Sequence, residues 1–138
     1  MNKISSVMTA DVRLAHPDQT IRDAAKIMLQ SDVGSLPVGD GDRLIGMITD
    51  RDITLRAVAE GKDGDTPVSD VMTRNIRYCF EDDDVLDVAR NMSELGVRRL
   101  PVLNRQKRLV GIVALSNIAS GGTEKARDTL LEGVATPH

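Results

Sequence analysis

Aromatic side chains are nearly missing from this sequence: 138 residues contain one Tyr, one Phe and no Trp. Tyr78 and Phe80 cannot supply the successive rings on which single-stranded nucleic acid stacks. A formal net charge of -3 likewise argues against a nucleic-acid surface. Two histidines, His16 and His138, are too few for a zinc site. The single cysteine, Cys79, allows no internal disulfide, which fits a reducing cytoplasm. No His or Asn partner is suggested for it, so a buried thiol is expected rather than a nucleophile. No apolar run is long enough to cross a bilayer. Met1 to Ser6 lacks the basic-then-apolar pattern of a signal peptide. With aromatics gone, a core has to come from Val, Ile, Leu, Met and Ala.

That core has enough material. Apolar residues are 41% and charged residues 28% of the chain, which is the globular range. The length suits one compact domain or two small halves sharing a core. The sequence favours the second arrangement because it is written twice. Leu36-Pro37-Val38, a polar turn, and Leu44 through Ile53 form one copy. Leu100-Pro101-Val102, a polar turn, and Leu109 through Ile118 form the other. Val7-Met8-Thr9 matches Val71-Met72-Thr73, and Asp23, Ala25, Met28 and Val33 match Asp87, Ala89, Met92 and Val97. One offset relates them all until it grows by a residue in the turn before Leu109, and such a fixed offset marks a duplication.

Within each copy the expected order is strand, helix, strand, strand, helix. Ile4 to Met8 reads as one helical turn and Val12 to Ala15 as a brief strand. Thr20 is placed to cap a helix burying Ile21, Ala24, Ala25 and Met28. Asp40-Gly41-Asp42 has hairpin-turn chemistry. The strand Leu44 to Thr49 is apolar on both faces and is expected to be central. A helix from Asp50 to Glu60 follows, then a polar linker from Gly61 to Pro67. The second half repeats this: a strand at Ile76 to Phe80, a helix from Asp84 to Leu95 burying Val85, Val88, Ala89 and Met92, a hairpin from Arg99 to Ala114, and a short helix. Thr123 to Glu132 suits a further helix. The expected divisions are 1–62, 63–120 and a tail at 121–138. Halves of about sixty residues are marginal alone, so packing about a pseudo-two-fold axis with a cleft between them is expected.

These motifs, ordered and repeated from Ile4 to about Ser120, resemble a tandem pair of CBS domains, the arrangement called a Bateman module. The layout is similar to small stand-alone bacterial CBS proteins. The resemblance implies an α/β (α+β) fold of two pseudo-symmetric repeats, each a small sheet with packed helices. It also implies adenosine-type ligands (AMP, ADP, ATP or S-adenosylmethionine) in the cleft, with no required cofactor. Homodimers, and a protein partner yet to be named, follow from the same likeness.

The residues allow such binding. Thr49 stands where a strand runs into a helix, whose free N–H groups favour phosphate. The carboxylate of Asp52 can accept from both ribose hydroxyls, and Arg51 can pair with a phosphate oxygen. By resemblance, Thr49 meets phosphate and Asp52 ribose. Val12 reads the adenine edge through its backbone, with Ile76 at the same place in the second repeat. Leu36 and Pro37 wall the base, and Arg99 precedes the second Leu-Pro-Val where cations meet phosphate. Read without the resemblance, Thr49 and Asp50 suit a helix cap, and Asp52 a first-turn acid, better than they suit a ligand site.

The second copy departs from this pattern. It has Ala114 in place of Thr49 and Asn117 in place of Asp52. Losing a charged hydrogen bond costs about 1.5–3 kcal/mol, so a weak or empty second site is expected. Glu81 to Asp84 reads as a cap with dipole-favoured charge rather than a Ca²⁺ loop, whose alternating acids and Gly it lacks. No catalytic constellation stands out. The reading is a regulatory nucleotide-binding module, an energy or metabolite sensor. The alternative is a ligand-free dimeric scaffold, and an enzyme is not expected.

Overall fold

The computed structural model describes residues 2–121; the helix expected at Thr123 to Glu132 lies outside them. The chain divides into two compact units that are not the two sequence repeats. One is Arg13–Ile76; the other joins the segment ending at Val12 to the described residues from Arg77 to Gly121. The leading segment of each repeat therefore packs in the unit built mainly from the other. The boundaries expected at 1–62 and 63–120 follow the sequence duplication and not this packing.

In the first unit, Thr20 accepts the Asp23 N–H at 3.1 Å and so starts α1 (Ile21–Ser31). Such a cap is worth about 1 kcal/mol. The helix ends at Asp32, in the left-handed conformation at φ 53°. Strands β1 (Ser35–Asp40) and β2 (Arg43–Thr49) then pair antiparallel around Gly41, whose φ of +65° a turn requires. Ile21, Ala24, Ile27 and Met28 of α1 are buried with Leu36, Val38 and Ile48 of the hairpin. Each large side chain so buried contributes about 1.5–3 kcal/mol. Ala25 is exposed, a correction to the expected stripe: the buried face is rotated so that Ile27 takes its place.

Three further expectations are revised. The strand at Val12 to Ala15 is reduced to a parallel bridge of Ala15 with Val38, because the preceding residues leave for the other unit. Strand β2 is not buried on both faces: Gly46 and Ile48 are buried, whereas Ile45 and Met47 are half-buried. It does lie inside the sheet, since Met47 exchanges backbone bonds of 2.9 and 2.8 Å with Thr73 on its other side. The helix after β2 is regular only over α2 (Asp50–Asp52) and becomes a π-helix at Ile53–Val58. The Ala59 N–H bonds the Thr54 carbonyl five residues back. This wider turn fully buries Ala57. The short helix α3 (Val68–Val71) completes the unit.

The second unit begins with a 3-10 turn at Ile4–Ser6. Strand β3 (Cys79–Phe80), shorter than the expected Ile76 to Phe80, pairs parallel with β4 (Arg99–Leu103). Strand β4 pairs antiparallel with β5 (Leu109–Ala114), giving the order β3-β4-β5. Helix α4 (Val85–Leu95) buries Val85, Val88, Ala89 and Met92, as its spacing predicts. These pack with Ile4, Leu100, Val102, Val113 and Ile118, the last from α5 (Leu115–Gly121). Thr9 bridges Ile112 as Thr73 bridges Met47.

Cys79 is 6% exposed in this core. Burial, with a smaller contribution from the nearby Asp83 charge, pushes its thiol from the ordinary 9.0 up to about 12. The folded chain thus holds a proton that the unfolded chain releases above pH 9.0. Stability from this group is intact below pH 9.0 and falls as pH rises toward 12. In urea unfolding at pH 7 and pH 10, the wild type should lose more stability than Cys79→Ala over that step. An equal loss in both would contradict this.

Candidate functional site

The polar groups of the first unit converge where β2 meets α2. Thr49 and Asp52 form a reciprocal capping box. The Asp52 N–H donates to Thr49 Oγ1 at 3.0 Å, and the Thr49 N–H donates to Asp52 Oδ2 at 3.1 Å. Thr49 thus caps the helix as the cap reading expects, while Asp50 is its first residue and Asp52, expected as a first-turn acid, closes the box. It leaves much of their chemistry unspent. A hydroxyl that accepts one bond keeps its own proton to donate, and a carboxylate has about four acceptor positions. Asp52 is also the buried charged residue of the described chain, at 9% exposure.

Two residues that the sequence reading did not single out meet this carboxylate. The Thr73 hydroxyl lies 3.4 Å from both Asp52 oxygens. Arg56 Nη1 lies 3.8 Å from Asp52 Oδ1 and donates to the Met72 carbonyl at 3.1 Å. Each carried a signal. Thr73 belongs to the repeated Val-Met-Thr, and Arg56 follows Asp52 by one helical turn, the spacing at which side chains meet.

The other predicted residues are spread over both units. Arg51 is exposed, and its N–H donates to Asp50 Oδ1 at 2.8 Å. Leu36 is 2% exposed in the first core, and Pro37, also buried, accepts the Ala15 N–H. Ile76 is half-buried at the end of the first unit. Val12, Arg99 and Asn117 belong to the second unit. There Asn117 Oδ1 accepts the Ala114 N–H at 2.9 Å, repeating half of the capping box. Arg99, exposed, is the β-ladder partner of Ala114.

Other polar clusters are engaged locally. Arg105 pairs with Asp82 at 2.8 Å, lies 3.8 Å from Asp83, and stacks over Phe80. This pairing holds the Asp82 carboxyl below its usual range. Asp83 Oδ2 accepts the Phe80 N–H. A groove of ≈ 480 Å³ runs between α1 and the π-helical segment, past Leu29, Asp32, Asp50 and Ile53. None of the predicted site residues lines it.

The model of the CBS domain matches residues 4–58 and 68–121. This chain belongs to the CBS-domain family. A CBS domain-containing protein of Bacillus subtilis, YhcV, is 43% identical over 119 residues, 86% of this chain and 84% of its own length. The CBS-domain fold is shared with Hypoxic Response Protein I, solved with two coordinated zinc ions: TM-score 0.78, 35% identity, 87% of this chain and 98% of that one. Among the described residues here, no group of three His, Cys, Asp or Glu side chains is arranged to hold a metal. The CBS pair of protein MJ0100, solved with 5-methylthioadenosine and S-adenosylmethionine, matches at TM-score 0.74 and 32% identity, over 86% of this chain and 98% of that one. No helix among the described residues is long and apolar enough to cross a membrane.

Proposed function

We propose that this CBS pair is a regulatory module that binds an adenosine-type ligand through Asp52. The observation that carries the reading is the Asp52 carboxylate, buried to 9% exposure with acceptor capacity left over. A ribose presents two adjacent hydroxyl donors, which a carboxylate accepts with charge-strengthened bonds. The MJ0100 pair supports the ligand class, since both of its bound molecules carry an adenosine group. In this reading Thr49 donates its free hydroxyl proton, Thr73 yields its contact with Asp52 to the ribose, and Arg51 serves the phosphate side. Leu36 and Pro37 wall the base, and Asn117 and Arg99 make the weaker second site. Ligand then shifts an equilibrium between two states by its differential affinity for them. No bond-making step is assigned to the module, and self-association into a homodimer is part of the same reading.

Calorimetric titration with adenosine, AMP, ATP and S-adenosylmethionine tests this. Asp52→Asn keeps the bond to the Thr49 N–H and removes the charge. It should weaken binding by about ten- to a hundredfold, the value of one charged hydrogen bond. Equal binding in both proteins would remove Asp52 from the site. Silence of the wild type toward all four ligands would favour a ligand-free dimeric scaffold. The closed capping box gives that second reading its support, because Thr49 and Asp52 already have partners.

A further inference from the structure

Arg56 is the residue whose placement the fold alone does not explain. It lies on the six-residue π-helix, a rare geometry concentrated at functional sites. Nη1 bonds the Met72 carbonyl, while Nε and Nη2 have no partner among the described residues. The side chain is 50% exposed. One account would make Arg56 a fastener holding segment 72–73 against β2. The second unit argues otherwise. Thr9 docks on β5 there as Thr73 docks on β2, through the same pair of backbone bonds. At the register that sets Ala114 against Thr49 and Asn117 against Asp52, Arg56 falls on Gly121. Docking therefore proceeds without an arginine. The arginine is lost in the copy that has also lost the hydroxyl and the carboxylate.

We infer that Arg56 is a second anion-reading residue of the Asp52 site, beside the exposed Arg51, and that the site selects a nucleoside carrying a phosphate over the bare nucleoside. The inference rests on the adenosine reading above. The Met72 carbonyl fixes one nitrogen, and the remaining donors are left to a phosphate, for which a guanidinium is well matched. Asp52 holds the ribose a few ångströms away, the spacing at which sugar and phosphate follow each other.

Adenosine and AMP are titrated separately into wild type, Arg56→Gln and Arg56→Lys. The wild type should prefer AMP. Arg56→Gln should weaken AMP at least about tenfold while changing adenosine less than about twofold. Arg56→Lys keeps a cation and should restore most of the AMP affinity, which separates the effect from misfolding. An equal loss for both ligands would make Arg56 a positioning residue for Asp52 and overturn the inference. So would unchanged AMP binding. A wild type that binds neither compound overturns the nucleoside reading itself and this inference with it. Once the wild type binds, the ratio in Arg56→Gln decides the inference alone.

Discussion

Replacing Gly111 by Val should destabilise the protein by about 3 kcal/mol, because overpacking is compounded by strained backbone bonds. A Cβ at Gly111 would lie 2.7 Å from the Thr9 carbonyl oxygen and 2.8 Å from Met8 Sδ. The sulfur can move, but the carbonyl is held by the Ile112 N–H at 2.9 Å. Thr9 would have to leave β5, taking its whole segment with it. Gly46 stands in the same position toward Thr73 and Met72, each 2.9 Å from its added Cβ. Gly46→Val should cost a similar amount and also draw Thr73 away from Asp52. Thermal unfolding should show a midpoint lowered by roughly 10 °C for either variant. Gly41→Asn is the control, since nothing lies within 4 Å and Asn tolerates positive φ. A loss under about 1 kcal/mol at Gly111 would mean that the leading segment is held too loosely to matter.

Those glycines show where the sequence could and could not be read. The duplication made both copies of Val-Met-Thr and of the strand glycine visible. It could not say which copy of one packs on which copy of the other, because identical motifs are interchangeable by pattern. That pairing is a long-range choice, and it went to the opposite repeat. Local features were legible because local chemistry decides them. Thr20 caps its helix through a side-chain oxygen, Gly41 supplies a positive φ, and α4 buries the apolar stripe its spacing requires. The π-helix left no such mark, since Ile53 to Val58 is compatible with an ordinary helix. Thr49 and Asp52 were legible as a pair, because a cap and a ligand site ask for the same residue types. Arg56 was hidden for a related reason. A helix arginine reads as a solvated charge until the carbonyl it bonds, sixteen residues later, is placed beside it.

The second repeat can be used to ask which of those two roles Thr49 and Asp52 serve. The Ala114 N–H already donates to Asn117 Oδ1, so half of a capping box exists there. In Ala114→Thr with Asn117→Asp, the new hydroxyl should accept the residue-117 N–H, as Thr49 Oγ1 accepts that of Asp52 at 3.0 Å. Completing the cap should add about 1 kcal/mol of stability. It also places a carboxylate in the unit where Arg99 stands opposite residue 114, while the first repeat has Ser35 opposite Thr49. The rebuilt site would then hold a ribose acceptor and a phosphate cation together. Calorimetry should show second-site affinity for AMP rising about ten- to a hundredfold, and stoichiometry moving from one toward two per chain. If stability rises while stoichiometry stays fixed, the motif is a cap and nothing more in this unit. A carboxylate in a capping box would then be insufficient to make a ligand site. If both rise, the same four-residue turn closes the helix and receives the nucleotide, and the loss of Thr and Asp from the second copy is what left it weak.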